Sequence, residues 1–153
     1  YGFQLNYSYH LILSLVLTLN FPMYKQCDGK WAGERLGTSS NTICSAGCLM
    51  SSAAMALYGI GNTQFNPSTL NTWLTNNGGY VQQDLFVWAS INRWGVAFGG
   101  FISNDKIRNY IDSGYIVILN VHNGGHWVLA TGYSGDRISV NDPGYSTTSY
   151  ALS

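Results

Sequence analysis

The chain has 153 residues and no formal net charge; 46% of it is hydrophobic, 14% aromatic and only 9% charged. That is one domain's worth of protein with material for a core, although its charge content is far below the roughly 25% of an ordinary soluble domain. It lacks the basic field that would hold a phosphate backbone or an anionic lipid surface, and its aromatic content excludes disorder.

The N-terminal segment alternates. Odd positions from Leu5 to Phe21 are all apolar or aromatic, whereas even positions from Gln4 to Asn20 are polar except Ile12 and Val16. A two-residue period is that of a half-buried strand, and a helix would scatter these side chains around its circumference. The apolar stretch over residues 11–19 is too short for a membrane helix, which needs about 20 apolar residues. No lysine or arginine precedes it, which speaks against a signal-peptide core. Fully extended, some 17 residues span roughly 55 Å, against a diameter of about 35–40 Å for the remainder folded as a globule. The expected organisation is therefore an extended arm over residues 1–20 and a domain over residues 21–153. The arm would bend onto its own domain or add to a neighbouring copy, and the second possibility predicts self-association through residues 4–20.

Residues 22–46 lack periodicity and read as loop. Residues 48–58, CLMSSAAMALY, are apolar on nearly every side and read as a buried helix closed by Gly59. Asn66 followed by Pro67 caps and opens a helix reaching Asn76. Residues 84–93 show a helical face ending at Gly95. Ser103 caps a short helix running to Asp112 and stopped by Gly114. Strands follow over residues 115–121, 126–133, 137–141 and 146–152. Helices first and an antiparallel meander afterwards is α+β order.

Four residues carry the chemistry. Cys48 follows Gly47 at the start of the buried helix, where the amides and dipole favour thiolate. His126 opens a strand, and Asp142 ends the next one, so antiparallel pairing can bring them together. Gln26 lies upstream, with a side-chain amide able to donate to an oxyanion. The order Gln, Cys, His, Asp, with the cysteine on a helix and the other two on strands, is that of a papain-like cysteine peptidase. His122, four residues before His126, is the competing base.

The pieces MYKQCDGKW, TICSAGCLMSSAAMAL, GGHWVLATGY and VNDPG resemble the bacteriocin-processing-type (double-glycine) peptidases and their stand-alone relatives. The likeness runs from about Phe21 to the C-terminus, and the alternating arm lies outside it. It implies a papain-like fold with Cys48 as nucleophile, His126 as base, Asp142 as orienting residue and Gln26 in the oxyanion hole. It also implies a peptide substrate and neither a metal nor another cofactor. The alternative role is a structural subunit of an extracellular filament built by strand donation, retaining the site. Three cysteines in a weakly charged chain suggest an extracellular or secreted protein. With Cys48 needed free, the disulfide falls to Cys27 and Cys44. Asn6, in Asn-Tyr-Ser, is the sequon for an N-glycan.

Overall fold

In the computed structural model, residues 2–7 and 19–152 are described. The first strand, β1 (Gly2–Tyr7), precedes a helical region: α1 (Ile43–Ala46), α2 (Cys48–Gly59) and α3 (Pro67–Asn76). A small hairpin, β2 (Tyr80–Val81) with β3 (Leu85–Phe86), leads into a 3-10 turn at Trp88–Ile91. The rest is β4 (Val96–Ile102), α4 (Ile107–Asp112), β5 (Ile116–Val121), β6 (His126–Ser134), β7 (Arg137–Asn141) and β8 (Ser149–Ala151). Six strands form one antiparallel-paired sheet in the order β4-β1-β5-β6-β7-β8, and the class is α+β.

The helix α2 is buried almost all round because its sequence offers no polar face. Ala53, Ala54, Met55, Ala56 and Leu57 have no exposed surface. It packs on β6, where the Ser52 hydroxyl donates to the Trp127 carbonyl at 3.4 Å. Gly59 closes it against Phe21, whose ring would stand 2.3 Å from a Cβ there. α3 begins as its sequence dictates: Asn66 accepts from the Thr69 amide, Thr69 accepts from the Asn66 amide, and Pro67 takes the first turn. The sheet divides the core. Ile116, Ile118 and Leu129 face the α2 side, whereas Val117, Leu119, Val128 and Val140 pack with Ile107 on the α4 side.

Three stretches differ from the sequence expectation. A four-residue helix, α1, stands inside the expected loop, held by a reciprocal Thr42–Ser45 cap; one turn is too short to show a period. The helix expected over residues 84–93 is instead β3 and a 3-10 turn. There the Val87 amide donates to the Gly79 carbonyl, and Trp88 turns into a cluster with Phe86, Phe98 and Trp127. β4 was hidden by its glycines: Gln4 faces Gly100 and Leu5 faces Phe98, so Gly99 is the extra residue of a bulge.

The N-terminal strand is paired along both edges within its own chain, to β4 on one side and β5 on the other. Phe3 and Leu5 stand opposite Ile118 and Ile116, and Asn6 stands opposite Ala97. Of the extended segment expected over residues 4–20, residues 4–7 are strand. Leu19 and Asn20 are not strand, and residues 8–18 lie outside the described residues. Within the described residues, both edges of β1 are filled by strands of its own chain. Deleting residues 1–7 would uncover the inner edges of β4 and β5. By light scattering, the full chain is expected at its monomer mass of 16.8 kDa and the truncated chain as larger species; a full chain larger than the truncated one would support strand donation instead.

Candidate active site

The loop around Gln26, the start of α2, the start of β6 and the turn after β7 converge on one cleft of about 570 Å³. Gln26, Cys48, His126, Trp127 and Gly144 border it, with Leu49 and Phe86 on its apolar wall.

Cys48 is the first residue of α2. Its N-cap, Gly47, has no side chain to occupy the helix N-terminus, and a Cβ at that position would stand 2.5 Å from the Ile43 carbonyl oxygen. Glycine therefore lets two helices follow one another without a connecting loop and leaves the first amides of α2 open to the cleft. Burial pushes the Cys48 thiol up from its ordinary value, and the backbone amides of Trp127, Leu49 and Cys48 itself offset this in part. Burial thus favours the neutral thiol, and these amides oppose it.

His126 is buried at the beginning of β6 and pairs with Asp142 through Nε2···Oδ1 at 2.6 Å. The β6–β7 register places them together, since Leu129 stands opposite Asn141. Asp142 has no exposed surface. Its Oδ1 also accepts from the amides of Gly144 at 2.8 Å and Tyr145 at 2.9 Å, and its Oδ2 accepts from the Tyr150 hydroxyl at 2.6 Å. Burial pushes the Asp142 carboxyl up, but these donors outweigh it and hold the group below its ordinary value. An ionised carboxylate only accepts, so the His126 proton resides on Nε2 and leaves Nδ1 as the basic nitrogen.

Gln26 is buried beside the cysteine. Its Nε2 donates to the Cys44 carbonyl at 2.7 Å, which uses one of two amide protons, and its Oε1 is buried without a hydrogen-bond partner. The loop is stitched to the Asp142 turn: the Gln26 amide donates to the Pro143 carbonyl, and Lys25 Nζ donates to the carbonyls of Asp142 and Tyr145, each at 2.6 Å. Cys27 and Cys44 are bridged, fastening the Gln26 loop to α1, and Cys48 is free. His122 is exposed and does not border the cleft. It stacks on Tyr145 and contacts the Tyr150 hydroxyl at 3.1 Å.

Sequence reasoning missed Lys25, Gly144, Tyr145 and Tyr150. Only the turn signal of Asp142-Pro143-Gly144 hinted at them, and it carried no information about contacts. Among the described residues, no three side chains of metal-ligating type come together, and no helix is long and apolar enough to cross a membrane.

The model of the Peptidase_C39 like family matches residues 18–152, and the chain belongs to that family. No curated protein and no solved structure matches it.

Two outcomes follow from this geometry. A Cβ on Gly144 would stand 2.7 Å from His126 Cε1 and 3.2 Å from Gln26 Oε1, so Gly144→Ala is expected to displace the ring. Alkylation of Cys48 by iodoacetamide near neutral pH should slow at least about tenfold, with thermal stability close to wild type; an unchanged rate would mean that the ring yields without consequence. For Asp142 the folded-state value lies below the ordinary 3.8. Its charge therefore stabilises the fold fully above about pH 5, and the contribution fades as pH falls through the folded value. Urea unfolding at pH 5 and pH 3 should show a larger loss for the wild type than for Asp142→Asn.

Proposed function

We propose that the protein is a papain-like cysteine peptidase or amidase that works outside the cell on a peptide by acyl transfer through Cys48. The observation that carries this reading is the buried His126–Asp142 pair on the rim of the cleft that Cys48 enters from a helix N-terminus. The Cys27–Cys44 bridge and the sparse charge support an oxidising, extracellular setting.

In the proposed reaction, Nδ1 of His126 takes the Cys48 proton as the sulfur attacks the substrate carbonyl carbon. The carbonyl π electrons move to oxygen, where the Cys48 amide and the second proton of Gln26 Nε2 would meet the charge. Collapse of the tetrahedral species breaks the C–N bond, and His126 gives its proton to the departing amine. Water then attacks the thioester, passing a proton to His126, and collapse returns thiol and acid. Asp142 holds the ring in the tautomer this needs and stabilises the imidazolium. Gly125 on the cleft wall leaves room for a substrate backbone to pass close by, which suits the resemblance to double-glycine peptidases.

Cys48→Ala should abolish hydrolysis of a peptide library read by mass spectrometry. Gln26→Ala should lower kcat by about 10²–10³ with little change in KM, as expected for an oxyanion donor. Equal turnover by wild type and Cys48→Ala would end the peptidase reading.

A further inference from the structure

The Asp142 carboxylate faces two ways. Oδ1 serves His126, whereas Oδ2 receives the Tyr150 hydroxyl at 2.6 Å. Because an ionised carboxylate donates nothing, the Tyr150 proton must point at Asp142. The Tyr150 oxygen is then the acceptor for His122 Nε2, 3.1 Å away. With His122 Nε2 as donor, the bonds form a continuous line from exposed His122 through Tyr150, which also hydrogen-bonds Thr147, and Asp142 to buried His126. His122 is held at its outer end by stacking on Tyr145, with ring centroids 4.8 Å apart and planes 14° from parallel. Its backbone sits at φ +53 in the tight turn before β6, a conformation uncommon for a non-glycine residue. The two imidazole centroids are 5.6 Å apart.

We propose that Tyr150 and His122 are positioning residues that set how much negative charge Asp142 presents to His126, and thereby how readily His126 takes the Cys48 proton. This rests on the reading of His126 as the base. Each donor on Oδ2 draws charge from the carboxylate. Tyr150 therefore restrains the hold of Asp142 on the imidazolium, and His122 strengthens that restraint by polarising the phenol. The other groups around His122 are Tyr145, His126 and, through Tyr150, Asp142. Lys25 binds the backbone of the same turn without touching the imidazole. Exposure of His122 puts the outer end of the line in contact with solvent.

The test uses the full chain and follows the rate of Cys48 alkylation by iodoacetamide from pH 4 to 10. It is paired with the proton resonance of the His126 Nε2–H, which a 2.6 Å bond to Asp142 places far downfield. Tyr150→Phe keeps the ring and removes only the hydroxyl; His122→Asn suits the left-handed backbone and removes the imidazole. Tyr150→Phe is expected to move the limb governed by His126 to higher pH by roughly 0.5–1 unit and to move the resonance further downfield. His122→Asn should do both in the same direction to a smaller extent. If both profiles and both resonances overlay the wild type while His126→Gln alters the alkylation rate, the relay is wrong and the peptidase reading stands. If His126→Gln leaves the rate unchanged at every pH, His126 is not the base and the relay falls with it. Circular dichroism melts of the three variants separate these outcomes from loss of fold.

Discussion

A carboxylate with no exposed surface is the constraint around which this molecule is arranged. Burying an ionised Asp is costly unless donors replace its water, and removing donors from a buried charge is costlier than never burying it. Asp142 is satisfied by groups from three places: the first residue of β6, the two amides after Pro143, and the hydroxyl of β8. The two amides lie two and three residues along the chain from Asp142, whereas His126 and Tyr150 are brought to it only by the folded sheet. The carboxylate is solvated only when β6, β7 and β8 are in register and the intervening turn is closed. Completing the C-terminal half of the sheet and preparing His126 are therefore one event. Lys25 extends that event to the N-terminal side, since its ammonium caps two carbonyls of the same turn and brings Gln26 with it.

The opposite wall of the cleft is organised by sterics more than by charge. Gly47 permits α1 to end and α2 to begin within one residue, which aims the Cys48 end of α2 at β6. Ser52 and the Ala-rich face of α2 then allow the helix to lie close on that strand. The consequence is a thiol buried enough to be pushed toward its neutral form. Cys48 shares its cleft with an imidazole oriented by a carboxylate, so on the proposed reading the base must be good and anything that alters Asp142 alters the nucleophile at one remove.

The ends of elements were legible in the sequence, and their contacts were not. Cys48, His126 and Asp142 could be singled out because each sits at the boundary of a strongly patterned segment, and residue type plus chain order suggested their chemistry. Gly144 and Tyr150 could not. A glycine after Asp-Pro reads as a turn residue, and a tyrosine in a short alternating strand reads as packing; only the folded register reveals that one clears space for an imidazole and the other ends on a carboxylate. The same limit explains β4, whose two adjacent glycines erase β propensity locally while serving a bulge against β1. β1 falls partly within the alternating stretch 4–20, but periodicity contains no information about which edges a strand will fill.

The placement of Tyr150 gives the site an unusual mechanical dependence. β8 has three residues, lies at the edge of the sheet and pairs with β7 alone. Short strands at the edge of a sheet are where local opening costs least. Opposing that, Arg137 donates to the Ser149 hydroxyl and carbonyl, and the Leu152 amide donates to the Asp136 carbonyl, so side-chain and backbone bonds clamp the strand at both ends. If β8 nevertheless opens, Oδ2 of Asp142 loses its donor while Oδ1 keeps three, because the amides of Gly144 and Tyr145 belong to the turn and His126 to β6. Opening therefore does not dismantle the His126–Asp142 pair; it shifts charge toward it. The edge strand acts on the balance of the pair and not on its existence, so under the proposed relay the hydroxyl of a peripheral tyrosine tunes the buried imidazole without being needed to hold it in place.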